Sequence, residues 1–264
     1  MKRMAAWVLG GAMIVLSAAA TASQYTDLWW KPDESGWGVS VVQQDDTAFV
    51  MVYGYGGDGT PIWYVASEAR ITGYVGAQPV FSGTLYRGGG PWMGGTFDPS
   101  QVQLTEVGTL SLETLSSDRL RLHYMAEGAH VTKELVRLTW RRPEVDAYYI
   151  SSFGLRQATP EGGPYGSLIY AADARLRLEG AEVLLRAEDQ FGRTCVYTGS
   201  RAQAGKVAAV TGTFECSAGA NGLQARAGTF TVTELELTAH GFTGYLRTRS
   251  PAGQEYGRFS GTRL

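Results

Sequence analysis

The chain has 264 residues, with 23 Lys and Arg against 25 Asp and Glu, so its formal net charge is −2. This mildly acidic balance argues against nucleic-acid binding, because phosphate backbones require a basic protein surface. Glycine contributes 35 residues, about twice its usual ~7 % share, which indicates many short strands and turns.

The first 22 residues have the features of a removable export signal. Lys2 and Arg3 precede an uncharged, mostly apolar stretch over residues 4–16, and Ala20-Thr21-Ala22 fits a cleavage site. This stretch is too short to cross ~30 Å of hydrocarbon, and no later run reaches the ~18 apolar residues of a membrane helix. The sequence predicts an exported protein without a membrane span, either periplasmic or secreted; the alternative is an uncleaved anchor.

The aromatic pattern changes near Arg141-Arg142-Pro143-Glu144, because no tryptophan follows Trp140. A proline beside charged residues is typical of an exposed boundary. We therefore predict an all-β protein of two antiparallel domains, residues 24–143 and 144–264.

The first domain contains a regular series of predicted strands separated by turns. Consecutive hairpins tend to close on themselves, because closure removes exposed sheet edges. This favours an up-and-down barrel, with an open β-sandwich as the alternative. The predicted strands cover residues 36–44, 49–56, 60–67, 80–86, 102–114, 119–125 and 131–140.

Asp58-Gly59 lies between two apolar runs and predicts a two-residue hairpin loop. Such a loop would place Tyr53 opposite Tyr64 and Gly54 opposite Trp63. The Trp63 indole would then cover the Gly54 backbone. The residues expected to share one face are Phe49, Met51, Tyr53, Tyr55, Ile62 and Tyr64.

The second domain contains the two cysteines, Cys195 and Cys216. If the chain folds back at Gly205-Lys206, the two cysteines face each other, which predicts a disulfide in an exported chain. Closing a loop of this size contributes roughly 3 kcal/mol to stability. The segment 168–188 has strand alternation, although residues 171–177 are also compatible with a short helix.

A short pattern of an aromatic residue, a hydroxyl residue and glycine recurs along the chain. We expect each copy to pack its aromatic side chain in a strand that bends or bulges at the glycine. The recurrence is compatible with two related barrels or with chance. The copies are Phe81-Ser82-Gly83, Tyr197-Thr198-Gly199, Phe242-Thr243-Gly244 and Phe259-Ser260-Gly261.

The most distinctive segment is Leu28-Trp29-Trp30-Lys31-Pro32-Asp33-Glu34-Ser35-Gly36-Trp37-Gly38, followed by Gly59-Thr60-Pro61-Ile62-Trp63-Tyr64-Val65. It resembles a family of uncharacterised exported β-rich proteins of Gram-negative bacteria. Lys31 stands where that family usually has asparagine. The resemblance covers residues 28–140 and implies export and a β fold, but no established reaction. The first strand is also faintly similar to avidin-type barrels, an analogy at the level of fold.

The tryptophan-rich end of the first domain is the candidate ligand site. Flat aromatic faces pack against sugar rings or apolar molecules, and nearby polar groups hydrogen-bond them. In the alternative interpretation, the tryptophans fill the barrel end, and Glu34 and Ser35 bond backbone groups at the turn. The predicted site residues are Trp29, Trp30, Glu34, Trp37, Gln44, Trp63, Tyr64 and Trp92, with Asp33 as a further polar candidate.

Two of the three histidines, His123 and His130, flank the Glu127-Gly128 turn. A two-residue loop pairs His123 with Thr132 and Met125 with His130, so both imidazoles share a face. A metal site would need a third ligand such as Glu127, and solvent-facing histidines are the simpler interpretation. We therefore predict no metal and no cofactor.

The sequence gives little indication of a catalytic site. The sequence contains no Gly-x-Ser-x-Gly motif, and a set built from Ser35, Asp33 and a histidine has no support beyond its composition. Asp33, Glu34 and Asp58 would serve glycoside hydrolysis only if two of them faced one cleft ~5–9 Å apart. The sequence favours an exported non-catalytic protein that binds a small apolar molecule or a glycan. The alternatives are an envelope protein-interaction module and a glycan hydrolase.

Overall fold

The computed structural model describes residues 24–220 and 222–264, so the predicted export signal lies outside the described residues. These residues form sixteen strands and a single short 3-10 helix, Pro99–Gln101. No helix in this part of the chain has the length and apolar character needed to span a membrane.

The first eight strands form a closed antiparallel barrel in chain order. β1 closes it by pairing with β8, where Trp29 faces Arg137. The predicted up-and-down barrel is therefore confirmed over the open sandwich. The strands are β1 Asp27–Trp30, β2 Gly38–Gln44, β3 Thr47–Tyr55, β4 Pro61–Val75, β5 Gln78–Gly89, β6 Gln103–Ser116, β7 Arg119–Ala126 and β8 Ala129–Arg137.

The remaining eight strands form a second closed antiparallel barrel. The helix alternative for residues 171–177 is wrong, because they lie in one long strand whose side chains alternate between interior and solvent. The strands are β9 Val145–Ala158, β10 Pro164–Glu179, β11 Glu182–Asp189, β12 Thr194–Ala204, β13 Val207–Cys216, β14 Arg226–Leu237, β15 Gly241–Ser250 and β16 Gly253–Arg263.

The Asp58-Gly59 hairpin has a longer loop than predicted, and its register is shifted by one residue. The Gly59 amide donates to the Gly56 carbonyl at 2.9 Å, and the Gly56 amide donates to Thr60 at 2.9 Å. Gly59 has a φ of 81°, as expected for a turn followed by a left-handed residue. Tyr53 therefore faces Trp63.

This shift reverses the predicted faces, because a one-residue slip moves side chains to the opposite side of a sheet. Tyr64 faces Val52, and both are buried in the barrel. The prediction that Tyr53 and Tyr64 share a face is wrong, as is the placement of Trp63 over Gly54. A Cβ on Gly88 of the neighbouring strand would collide with the Trp63 ring, so the indole covers that glycine instead.

The predicted disulfide is confirmed. Cys195 and Cys216 are directly opposed on β12 and β13, and their sulfur atoms are bonded. The turn between these strands falls at Gly205-Lys206, as the midpoint of the two cysteines predicts.

The prediction for the aromatic–hydroxyl–glycine pattern is confirmed in part, because the sheet register shifts at Gly83 and Gly244 but is unbroken at Gly199 and Gly261. Phe242 faces Gly261, and Gly244 faces Phe259, in an unbroken register between β15 and β16. A Cβ on Gly244 would lie 2.8 Å from the Phe259 ring. Each glycine therefore leaves room for the aromatic ring on the opposite strand. Gly244 also lies at a register shift between β14 and β15, and Gly83 at one between β4 and β5, as predicted.

The two ends of the first barrel differ. At the end where β2, β4 and β6 finish, which we call the lower end, Tyr25, Trp29 and Phe81 fill the interior. The Arg137 guanidinium lies 4.6 Å from the Trp29 ring and forms a 3.0 Å ion pair with Asp27. The lower end is therefore closed by packed side chains.

The lower end also contacts the second barrel. The Lys206 amide donates to Asp27 at 3.0 Å, and the Gly205 amide donates to Thr139 at 2.7 Å. Gly205 has a φ of 56°, and a Cβ there would collide with the Asp27 carboxylate. The opposite end of the first barrel, which we call the mouth, points away from this junction.

Candidate functional site: the mouth of the first barrel

A cavity of about 570 Å³ occupies the mouth, within the ~300–1,000 Å³ range of small-ligand sites. The surrounding connections are residues 31–37, 56–60, 90–102 and the turn at 127–128. The inward aromatic and aliphatic side chains at the cavity include Trp37, Ile62, Tyr64 and Tyr124, and the outward residues Tyr53 and Tyr55 lie at its edge. Its charged lining residues are Glu34, Glu127 and Lys133.

Trp37 is held at the cavity by the turn that follows β1. Gly36 has a φ of 108°, a conformation that favours glycine. A Cβ on Gly54 would come within 3.2 Å of the Trp37 Cβ, so the glycine gives the tryptophan room beside β3. The Trp37 Nε1 donates to Glu34 Oε2 at 3.3 Å, which fixes the indole beside a carboxylate.

Glu34 is the acceptor at one side of the cavity. The Lys133 Nζ donates to both Glu34 carboxylate oxygens at 2.8 Å, and the Lys31 Nζ lies 3.3 Å from Oε1. The hydrogen bond from Lys133 is the main cause that lowers the pKa of Glu34 below its usual value. The carboxylate is therefore ionised at neutral pH, with a cation on each side.

A second polar group lies on the turn between β7 and β8. Glu127 accepts a hydrogen bond from the Tyr64 hydroxyl at 2.9 Å and another from Arg87 at 2.9 Å. These bonds, that from Tyr64 first, lower the pKa of Glu127. Burial, together with the bond to Glu127, raises the pKa of Tyr64 to about 12. Tyr64 is therefore a neutral hydroxyl at the floor of the cavity.

Three of the predicted site residues, Glu34, Trp37 and Tyr64, line this cavity. Trp29 lies at the lower end, where it is fully buried and its Nε1 donates to the Tyr25 carbonyl at 3.0 Å. Gln44 is exposed at the end of β2, also at the lower end. These two residues are separated from the mouth by the packed interior of the barrel.

The remaining predicted residues lie outside the cavity. Trp30 alternates with the inward Trp29 and therefore points out of the barrel. Trp63 is 46 % exposed on the outer wall, and Trp92 is 78 % exposed in the 90–102 connection. The mouth thus contains one tryptophan, Trp37, with several tyrosines around it.

Lys133 and Tyr124 line the mouth although the sequence did not predict them there, and Glu127 was predicted only as a possible metal ligand. Lys133 faces Leu122 in the register of β7 and β8 and belongs to the same inward row as Leu135. A lysine in an inward row requires a buried or partly buried partner, because a charge is costly to bury alone. A lysine between Val131 and Leu135 in the inward row was the signal available in the sequence.

Asp33 and Asp58, the other two acids considered for catalysis, do not line the cavity and have other bonding partners. The Asp33 carboxylate pairs with Lys31 at an exposed position. Asp58 accepts hydrogen bonds from the Thr60 amide at 3.0 Å and the Thr60 hydroxyl at 2.7 Å. These contacts lower the pKa of both carboxyls. Their observed roles are a surface ion pair and the closure of a hairpin loop.

Comparisons with known proteins give no assignment: neither protein-family models nor curated proteins match the chain. The resemblance based on the tryptophan-rich motif therefore stays a prediction. Evidence for function comes from the geometry of the mouth.

Proposed function

We propose that the first barrel binds a small carbohydrate at its mouth, without catalysis, in an exported protein. The supporting observation is that the Trp37 indole and two ionised carboxylates, Glu34 and Glu127, line one cavity of about 570 Å³. Indole and tyrosine faces suit the C–H faces of a sugar ring. The carboxylates and Lys133 suit its hydroxyl groups.

The charged lining favours a carbohydrate over a purely apolar ligand. An apolar molecule filling the mouth would remove water from Glu34, Glu127 and Lys133 without replacing its hydrogen bonds, which is costly. A sugar replaces them with hydroxyl groups. An apolar ligand remains the contrasting outcome of the binding test below.

The electrostatics favour binding over hydrolysis. A glycosidase requires a carboxylic acid whose pKa is raised so that it can donate a proton. The pKa values of Glu34 and Glu127 are both lowered, so neither is protonated at neutral pH. The disulfide between Cys195 and Cys216 supports an oxidising, exported location.

A second candidate, an envelope protein-interaction module, is supported by a different feature. The 90–102 connection exposes Trp92, Met93 and Phe97 by 78 %, 84 % and 51 %. Exposed aromatic residues of this kind are enriched at protein interfaces. This candidate predicts a protein partner whose binding depends on Trp92 and is independent of Trp37.

The test is titration of the mature chain with a panel of mono- and oligosaccharides, followed by calorimetry and tryptophan fluorescence. We expect a sugar to bind, Trp37→Ala and Lys133→Met to abolish binding, and Trp140→Ala, a change outside the mouth, to have no effect. Binding of apolar probes alone would contradict the carbohydrate assignment. Sugar binding that survives Trp37→Ala but is lost in Trp92→Ala would contradict the assignment to the mouth.

A further inference from the structure

The outer wall of the first barrel carries a second concave surface, separate from the mouth. A groove of about 620 Å³ runs across β5 to β8, and five of its twelve lining residues are serines or threonines with short side chains. Within it lie the longer side chains His123, Met125 and His130. We call this surface the outer groove.

The strand register brings these three residues together. His123 and Met125 are two residues apart on β7 and therefore point to the same side. His130 on β8 directly faces Met125, and Thr132 faces His123. Directly opposed Cβ atoms lie about 4.5–5.5 Å apart, and alternate residues of a strand lie about 7 Å apart. The two imidazoles and the thioether can therefore converge above the sheet.

The neighbouring contacts leave these groups available for a ligand. The His123 Nδ1 lies 2.9 Å from the Thr132 hydroxyl, a contact that orients the ring and leaves Nε2 pointing elsewhere. Metal-binding histidines are commonly held this way through their second nitrogen. Within the described residues the His130 imidazole has no hydrogen-bond or ion-pair partner, and Met125 is 48 % exposed.

The chemistry of the groove selects the kind of ion. Glu113 and Glu134 beside it are each bound to Arg121 at 2.8 Å, and Glu127 is held by Tyr64 and Arg87. No group of three or more His, Cys, Asp and Glu side chains in residues 24–220 and 222–264 could hold a metal. A site here therefore depends on the methionine, whose thioether is a soft ligand that favours Cu(I), and imidazole also binds copper.

We propose that His123, Met125 and His130 bind a single Cu(I) ion in the outer groove, with Thr132 positioning the His123 ring. Glu127, the third ligand considered from the sequence, is replaced by Met125. None of the three ligands lines the mouth, so the copper proposal does not depend on whether the mouth binds a carbohydrate.

The experiment is an anaerobic Cu(I) titration of the mature chain against a chromophoric competing chelator, with ascorbate as the reductant so that the disulfide remains intact. We expect one Cu(I) per chain. His123→Ala, His130→Ala and Met125→Leu should each remove the ion from the protein in this competition. Thr132→Val should weaken binding about tenfold, as loss of a ligand-orienting bond does in other metal sites.

Matched controls are available in the same chain. His240→Ala changes the third histidine, in the turn before β15, and Met93→Leu changes an exposed methionine outside the groove; both variants should bind Cu(I) like the wild type. Absence of Cu(I) binding, binding that survives Met125→Leu, or equal loss in His240→Ala would each overturn the proposal. Tighter binding of Zn(II) than of Cu(I) would overturn the assignment to a soft ion.

Discussion

Replacing Arg137 by methionine should destabilise the first barrel strongly. Arg137 and Asp27 form an ion pair whose side chains are 1 % and 6 % exposed. The guanidinium also donates to the Ser117 and Gln24 carbonyls, both at 2.7 Å. Removal of one partner from a buried pair costs about 3–5 kcal/mol, because the other charge remains buried and unpaired. That loss is a large part of the ~5–15 kcal/mol that stabilises a typical domain.

Urea unfolding followed by tryptophan fluorescence measures this loss in the first barrel, because the second barrel contains no tryptophan. With a slope of about 1–3 kcal/mol per molar urea, Arg137→Met should lower the midpoint by at least about 1 M. Asp27→Asn combined with Arg137→Met should recover part of the loss, since the buried charge is gone. Arg70→Met, at a surface pair 62 % exposed on both sides, is the control. Equal midpoints for Arg137→Met and Arg70→Met would refute the assigned role of the pair.

Three further predictions concern stability. Removal of the disulfide by Cys195→Ala with Cys216→Ala should lower the free energy of unfolding of the second barrel by roughly 3 kcal/mol, measured by near-ultraviolet circular dichroism in urea. Gly244→Ala should cost about 1–3 kcal/mol through overpacking against Phe259, whereas Gly154→Ala on β9 of the same barrel, where the nearest atom is 3.9 Å from the added Cβ, should have little effect in the same assay. The pKa values of Glu34 and Glu127 in the folded protein lie below the ordinary carboxyl value of 4.5. The two ionised carboxylates therefore stabilise the folded state fully above that value, and this stabilisation is lost as the pH falls through their lowered pKa values. Glu34→Gln with Glu127→Gln should therefore flatten the decline of the first barrel's melting temperature in acid, and an unchanged acid profile would contradict the two networks.

Local patterns predicted much of the fold because each depends on residues close in sequence. The Cys195 and Cys216 pairing follows from one two-residue turn midway between them. The Asp58-Gly59 hairpin was predicted one residue out of register, because Gly56 and Gly57 also enter the loop. With several glycines in a row, the sequence does not specify where the strand ends, and a slip of one residue reverses every face.

The site was harder to predict because alternation identifies the face of a side chain but not the end of the barrel at which it lies. Trp29 and Trp37 belong to one motif, yet Trp29 packs at the closed lower end and Trp37 lines the mouth. Gln44 follows the motif closely in sequence and lies at the lower end after β2 has crossed the barrel. The predicted site therefore combined residues that are close in sequence but lie at opposite ends of the barrel.

The lengths of the connections distinguish the two ends, and this signal is present in the sequence. At the lower end, β2 to β3, β4 to β5 and β6 to β7 are joined by two-residue turns, at 45–46, 76–77 and 117–118. The connections at 31–37, 56–60 and 90–102 all lie at the mouth. Short turns are sufficient to reverse a strand, so the longer connections are not needed for closure, and binding residues are concentrated on such loops. The lower end is also closed by Arg137 and Trp29 and contacts the second barrel, so the mouth is the end of the first barrel at which longer connections surround a cavity.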